Sequence, residues 1–476
     1  MEFEAVIGLE VHAQLLTDTK IFCGCSTKFG NPANSNVCPV CLGHPGVLPV
    51  LNKKVVEYST LMGLATNCTI NKKSIFARKN YFYPDLPKGY QISQFELPIC
   101  ENGFIEITTN ENVKKIRIKR IHMEEDAGKS IHDQGFDTLV DVNRCGVPLI
   151  EIVSEPDINS GEEAYQYLSN LKQIITYLGI CDGNMEEGSL RCDANISIRP
   201  KGTIELGTRT EVKNMNSFRN VQKAIDYEID RQINLVEDGE KVVQQTLLWN
   251  ADQNKAAPMR GKEEAHDYRY FPDPDLMPVI VDETWKREIL SSMPELPKVR
   301  KERFVNELNL PEYDAEILTS QKETADYYEE ILKETNDTKS ASNWVMGDVA
   351  KILNEQKLNI SDFPISPNNL GKLINLINSN KISNKIAKDV FPIMLEENKN
   401  PEVIVKEKNL IQITDTSAIE SAIDNVINNN PKQVEEFKSG KEKVIGFLVG
   451  QVMKETKGKA NPQMVNKILR EKLTVQ

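Results

Sequence analysis

Apolar and polar positions alternate between Val6 and Leu15. Ile7, Leu9, Val11, Ala13 and Leu15 share one face of an extended strand, and Gly8, Glu10, His12 and Gln14 share the other. The period predicts a half-buried strand on which Glu10 and His12 point the same way. Leu190 to Arg199 repeats it, with Leu190, Cys192, Ala194, Ile196 and Ile198 opposed by Arg191, Asp193, Asn195, Ser197 and Arg199. A shorter strand sets Arg209, Glu211 and Lys213 on a common face, and Ile116 to Met123 predicts another strand that runs into Glu124, Glu125 and Asp126. Glu151 lies inside an otherwise apolar run, where a lone carboxylate is costly unless it is paired or bound to a metal.

Helical periods are interleaved with these strands. Ser160 and Glu163 form a capping-box signature for a helix with Ala164, Tyr167, Leu168, Leu171, Ile175 and Leu178 on one face, closed by Gly179. Phe218 to Val236 is a second helix, ended near Gly239. From about residue 295 Lys-rich and Glu-rich helices take over, among them one capped by Ser366-Pro367 with Leu370, Leu373, Ile374 and Ile377 as its buried stripe. The expected class is α+β, a mainly antiparallel sheet followed by helices.

The length of 476 residues leaves room for roughly two to four domains. No apolar run approaches membrane-spanning length, and the start Met1-Glu2-Phe3-Glu4 lacks the pattern of a signal peptide, so the expected location is cytoplasmic with no membrane contact. The net charge of -12 argues against a general nucleic-acid coat. The charge is uneven, because residues 406–476 carry 12 Lys and Arg against 9 Asp and Glu. A phosphate-bearing partner would touch that end, where Lys454, Lys457 and Lys459 are an RNA-backbone candidate, or a local patch.

Four of the nine cysteines have metal-ligand spacing. Cys23-Gly-Cys25 and Cys38-Pro-Val-Cys41, twelve residues apart, suit a closed tetrahedral zinc site of structural type. Cys68, Cys100, Cys145, Cys181 and Cys192 are scattered and read as core residues. Gly128-Lys129-Ser130 is not a P-loop, since Met123 stands where that motif needs glycine. Two aromatic segments, Arg78 to Gln94 and His266 to Asp275, are ordered loops; the first usually does something, and the second is either substrate-facing or a packed connector. Three strand faces with mixed charges suggest an open polar site, and Arg and Lys with acidic neighbours and a metal are what an ATP phosphate tail requires.

Several segments together carry a resemblance. They are Gly8 to Leu15, Lys79 to Gln94, His122 to Gly128, Pro148 to Asp157, Gly188 to Ser197 and Tyr268 to Asp275. In combination they resemble the B-subunit family of the tRNA-dependent amidotransferase GatCAB along the whole chain. The resemblance implies a carbon–nitrogen ligase that converts Glu-tRNA(Gln) to Gln-tRNA(Gln), and Asp-tRNA(Asn) to Asn-tRNA(Asn). It implies a cradle domain at 1–293 with the zinc knuckle at 23–41, a helical domain at 294–405, and a YqeY-like, tRNA-binding tail at 406–476. No glutaminase is visible in the chain, which has no Gly-Gly-Ser-Ser-Gly run and no clear Cys–His pair. The family places that activity in a partner amidase, the GatCAB A subunit, and a small third protein, the C subunit, makes the assembly a heterotrimer.

Carried over position by position, the resemblance implies a Mg2+ site, or a Mn2+ site given the imidazole, at Glu10, His12, Glu125 and Glu151, with Glu124 the near alternative to Glu125. Arg191, Asp193, Asn195, Glu211 and Lys213 would line the nucleotide side. Glu125 would act in catalysis, with Lys79 and Tyr81 at the mouth of an ammonia tunnel. Some members lack the four cysteines, so Zn2+ at Cys23, Cys25, Cys38 and Cys41 would be scaffolding. Two other readings stay open: a non-catalytic zinc-containing tRNA-binding scaffold, and a stand-alone ATP-dependent carboxylate ligase that uses free ammonia.

Overall fold

A computed structural model describes residues 2–109, 112–131, 136–259, 268–411, 416–456 and 460–474, with backbone alone for 416–418. His266, Asp267, Lys457 and Lys459, singled out above, lie outside the described residues. The chain divides into two compact units, Met1–Pro297 and Lys298–Gln476. The architecture is mixed α/β, with one large sheet in the first unit and helices throughout the second.

Nine strands build the sheet: β1 (Phe3–Gln14), β2 (Thr69–Ile70), β3 (Cys100–Thr109), β4 (Asn112–Glu125), β5 (Pro148–Ser154), β6 (Leu190–Pro200), β7 (Thr210–Lys213), β8 (Thr246–Asn250) and β9 (Lys255–Pro258). Their order is β9-β8-β7-β6-β1-β5-β4-β3-β2, so the first strand of the chain lies in the middle. All neighbours are antiparallel except β7 and β8, which run parallel.

The alternation in β1 is realised: Ile7, Leu9, Val11 and Ala13 are almost wholly buried, while Glu10, His12 and Gln14 are half-buried on the opposite face. Helices α2 (Gly161–Tyr177) and α3 (Phe218–Glu237) share the apolar core of this sheet, joined by α1 (Lys53–Ala65). The Ser160 hydroxyl caps α2 by accepting from the Glu163 amide, as the sequence predicts. Ser217 does the same for α3 through the Asn220 amide.

Strand β4 departs from simple alternation. Ile116 and Ile118 are core residues, and so are Ile121 and Met123, so the phase changes between them. The pairing with β5 shows the cause: Val153 faces Arg120 while its neighbour Ser154 faces Ile118, which leaves Lys119 as the extra residue of a bulge. Beyond the bulge His122 and Glu124 join the polar face.

The second unit is helical and has two separate cores. One gathers Phe304, Tyr328, Trp344, Leu370, Leu373, Ile374 and Phe391, and the other Ile419, Ile423, Leu448, Val452 and Leu469. Ser366 caps Pro367–Asn378 by accepting from the Asn369 amide. Among the described residues no helix is long and apolar enough to cross a membrane.

Ile7 is fully buried at the centre of the sheet, so Ile7→Ala is expected to cost about 2–4 kcal/mol by denaturant unfolding. Ile204→Ala, at a site 90% exposed, should change stability by less than about 0.5 kcal/mol.

Candidate functional site

Residues directly opposite in antiparallel strands project to the same side, so register decides which side chains meet. His12 on β1 faces Glu151 on β5 and Arg191 on β6, and Glu151 in turn faces His122 on β4. One row of four polar side chains therefore crosses the middle of the sheet. Glu124 stands one step along β4, and Glu10 one step along β1 opposite Asp193.

Ion pairs hold this cluster together. His12 Nε2 is 3.4 Å from Glu124 and 3.5 Å from Glu151, and His122 Nε2 is 3.1 Å from Glu151 and 3.7 Å from Glu124. Ser93 donates a further hydrogen bond to Glu124 at 3.3 Å. Burial works against each charge. The ion pairs with His12 and His122 nonetheless hold the Glu124 carboxyl below its ordinary value, and Glu124 and Glu151 raise the His12 imidazole above its own. The same partners hold Glu151 well below the ordinary carboxylate value. Both carboxylates thus keep the ionised form that binds a cation.

The ligand atoms of His12, Glu124 and Glu151 all lie within 4.8 Å of one another, a spacing that suits one divalent ion. Two carboxylates fit Mg2+, and the His12 imidazole, once an arriving cation displaces its Nε2 proton, extends the fit to Mn2+. The buried Nδ1 of His122 has no hydrogen-bond partner among the described residues. Above the cluster opens a cavity of about 250 Å³ lined by His12, Lys79, Tyr81, Gln91, Glu124, Asp126, Arg191 and Asp193, among others. The Lys79 ammonium lies over the Tyr268 ring at 4.8 Å and the Tyr81 ring at 5.8 Å. Burial opposes its charge, but Glu124 and Glu151 outweigh burial and raise it above the ordinary lysine value, so it remains a cation.

Further out on the same face Lys213 bridges Asp193 at 3.2 Å and Glu211 at 3.1 Å, and Asn195 donates to Glu10 at 3.0 Å. Burial, and then Glu151, Glu211 and Asp193, raise the Glu10 carboxyl above its ordinary value. Of the five residues expected at the nucleotide side, Arg191 and Asp193 line the cavity, and Asn195, Glu211 and Lys213 continue the row beside it.

Two expected ligands are placed elsewhere. Glu125 projects away from the cluster, because neighbours on a strand face opposite sides. Its Oε1 accepts from Lys88 Nζ and from the Ile92 amide. Glu124, the near alternative, takes the position by the two histidines. Glu10 too lies outside the group of three, bound to Asn195. Sequence reasoning missed His122, although it stands in the quoted His122-Met-Glu-Glu segment; only the bulge at Lys119 turns it to the polar side. By sequence Glu124, Glu125 and Asp126 either face solvent or bind a cation; Asp126 is buried in the cavity wall and paired with Arg191.

The four thiols of Cys23, Cys25, Cys38 and Cys41 likewise lie within 4.8 Å of one another. A tetrahedron of sulfurs about 2.3 Å from its centre has edges of about 3.8 Å, and Cys38 and Cys41 sulfurs stand 3.9 Å apart. Lys20, fully buried, donates to Asn36 O at 2.7 Å and reaches the Cys41 sulfur at 3.7 Å. A buried ammonium needs negative charge, and thiolates supply it. The cluster could hold structural zinc. The other five cysteines are buried and free, as expected.

Comparison with known proteins gives a consistent result. Residues 5–287 match the family described as the GatB/GatE catalytic domain, and residues 326–473 match the GatB domain. Proteins named as the B subunit of aspartyl/glutamyl-tRNA(Asn/Gln) amidotransferase are similar over almost the full length. The Chlorobium phaeobacteroides protein is 59% identical over 99% of this chain and 100% of its own length. The Geobacter sulfurreducens protein is also 59% identical with the same coverage, and that of Caldanaerobacter subterraneus is 58% identical over the whole of both.

Glu125 is 3% exposed, so removing Lys88 would strand a buried carboxylate. Lys88→Met is expected to cost about 3 kcal/mol by denaturant unfolding, and the Lys88→Met, Glu125→Met double variant to recover most of it.

Proposed function

The chain belongs to the GatB/GatE family, and from that premise we propose that its central polar row makes it the activating subunit of a tRNA-dependent amidotransferase. It is the part of a carbon–nitrogen ligase that acts on Glu-tRNA(Gln), and on Asp-tRNA(Asn) where that is formed. The observation that carries this reading is the convergence of His12, Glu124 and Glu151 beneath a cavity walled by two cations, Lys79 and Arg191.

The chemistry takes two steps. An oxygen of the substrate's side-chain carboxylate attacks the γ-phosphorus of ATP, the bond to the bridging oxygen breaks, and ADP leaves. Ammonia then adds to the acyl carbon, loses a proton and expels phosphate, which leaves the amide. A bound Mg2+ or Mn2+ would neutralise phosphate charge at His12, Glu124 and Glu151. Arg191, with Asp193 beside it and Asn195, Glu211 and Lys213 further out, orients the nucleotide. Lys79 stays protonated, so it stabilises anionic oxygens rather than taking a proton; with Tyr81 it forms the polar entry for ammonia. Water competes with ammonia for the acyl phosphate, and Tyr81 in the cavity wall, with the Tyr268 ring against Lys79, narrows the way in for it.

Ammonia comes from the partner amidase, and the small third protein of the heterotrimer holds the two together in the cytoplasm. Residues 1–293 act as the cradle, 294–405 as a helical connection, and 406–476 as the tRNA-binding tail. The four cysteines hold zinc as scaffolding.

The complex assembled with its amidase and small partner proteins, Mg2+ and γ-labelled ATP tests this directly. Phosphate release should require the aminoacylated tRNA and should fall at least about 100-fold in Glu124→Gln and in Glu151→Gln. Normal release in both variants would favour the rival reading, a zinc-containing tRNA-binding scaffold, and sink this one. For the knuckle, elemental analysis of the purified chain should find close to one zinc per chain. Cys38→Ser should lose it and melt at a lower temperature; an unchanged melt with no metal in the parent chain would remove zinc from the account.

A further inference from the structure

Asp126 is the first residue after β4, and none of the roles above employs it. Its carboxylate is 4% exposed and lines the same cavity as His12, Lys79 and Arg191. A negative charge on the wall of a polyphosphate site opposes binding unless it is neutralised and put to use. Here it is surrounded by donors. Oδ2 accepts from Gln14 Nε2 at 2.8 Å, and Oδ1 accepts from the Ala127 amide at 3.0 Å and from Arg191 Nη2 at 3.1 Å. Arg144 Nε stands 3.6 Å from Oδ2.

The two arginines differ in what else they bind. Arg144 donates to Ala127 O at 2.9 Å and to Gly128 O at 2.6 Å, so it belongs to the turn. Arg191 pairs with no other carboxylate among the described residues. A guanidinium has five N–H donors, and one committed to Asp126 leaves the rest of the fork for an incoming anion. A long side chain fixed in advance surrenders its rotamer freedom before the substrate arrives rather than on binding.

We infer that Asp126 is a positioning residue for ATP: it anchors Arg191, with Gln14 alongside, so that the guanidinium meets the triphosphate in one orientation. The inference rests on the nucleotide-side role of Arg191 given above. It predicts an effect on nucleotide affinity and not on the chemistry, since Asp126 acts through the guanidinium it holds.

The test is a double-variant cycle on KM for ATP in the assembled complex, with Asp126→Asn, Arg191→Met and both together. Asparagine keeps an acceptor for Gln14 and for the Ala127 amide but removes the charge. Asp126→Asn is expected to raise KM for ATP about tenfold, with kcat and KM for the aminoacyl-tRNA within about twofold. Arg191→Met should raise KM at least as much, and the double variant should match Arg191→Met alone. Multiplying effects, or an unchanged KM in Asp126→Asn beside a raised one in Arg191→Met, would overturn the inference. An unchanged KM in Arg191→Met would instead remove Arg191 from the nucleotide site, and the failure would lie in the reading beneath. Arg144→Gln loosens the same turn without touching Arg191. It should lower the melting temperature and leave KM for ATP alone; a rise there equal to that of Asp126→Asn would assign the effect to the turn and refute positioning.

Discussion

The site depends on the register of β1 between β5 and β6. With His12 opposite both Glu151 and Arg191, a carboxylate, an imidazole and a guanidinium stand in one row on a rigid sheet. A slip of one residue in that pairing would send Ile7, Leu9, Val11 and Ala13 to the polar side and His12 to the core. Burial of those four residues beneath α2 and α3 therefore specifies the register, and the register places the chemistry. The scaffold and the site are two faces of the same strands.

The charges in the row are arranged to be buried without being lost. Two carboxylates share two histidines, each within ion-pair distance of both, so desolvation that would protonate an isolated glutamate is offset by its neighbours. The arrangement presents ionised oxygens at the floor of a cavity whose walls carry Lys79 and Arg191. Negative ligands below and positive side chains around are what a metal–nucleotide pair needs, because transfer of a phosphoryl group is mostly positioning and charge neutralisation.

The cysteine knuckle lies close behind this site. Lys20 and Lys88 line a small cavity of about 90 Å³ with Cys23, Cys41 and Glu125. A β-carbon at Gly43, whose φ is +69°, would meet Lys88 Cγ at 2.4 Å. Lys88 is thus packed against the knuckle and paired with Glu125, the neighbour of Glu124. The knuckle supports the end of β4, which is a structural task that thiolate ligands suit and catalysis does not require.

Much of this was legible in the residues themselves. The alternation in β1 and β6, the caps at Ser160 and Ser366, and the spacing of Cys23, Cys25, Cys38 and Cys41 are local signals, because periodicity, capping and ligand spacing act within a few neighbouring residues. Long segments such as Lys79 to Gln94 carried the family. What the residues alone left open was the choice between Glu124 and Glu125, the membership of His122, and the role of Asp126. Strict alternation from Ile116 and Ile118 puts Glu124 inside and Glu125 outside; the bulge at Lys119 exchanges them, and a bulge is decided by pairing with β5, more than thirty residues away in the chain. Arg191 and Asp126 meet for the same reason, across 65 residues. Elements, ligand types and family are written in local pattern and motif, and so they can be read from the chain alone. Which side chain faces which partner belongs to the folded protein, because register and bulges are set by contacts distant in sequence.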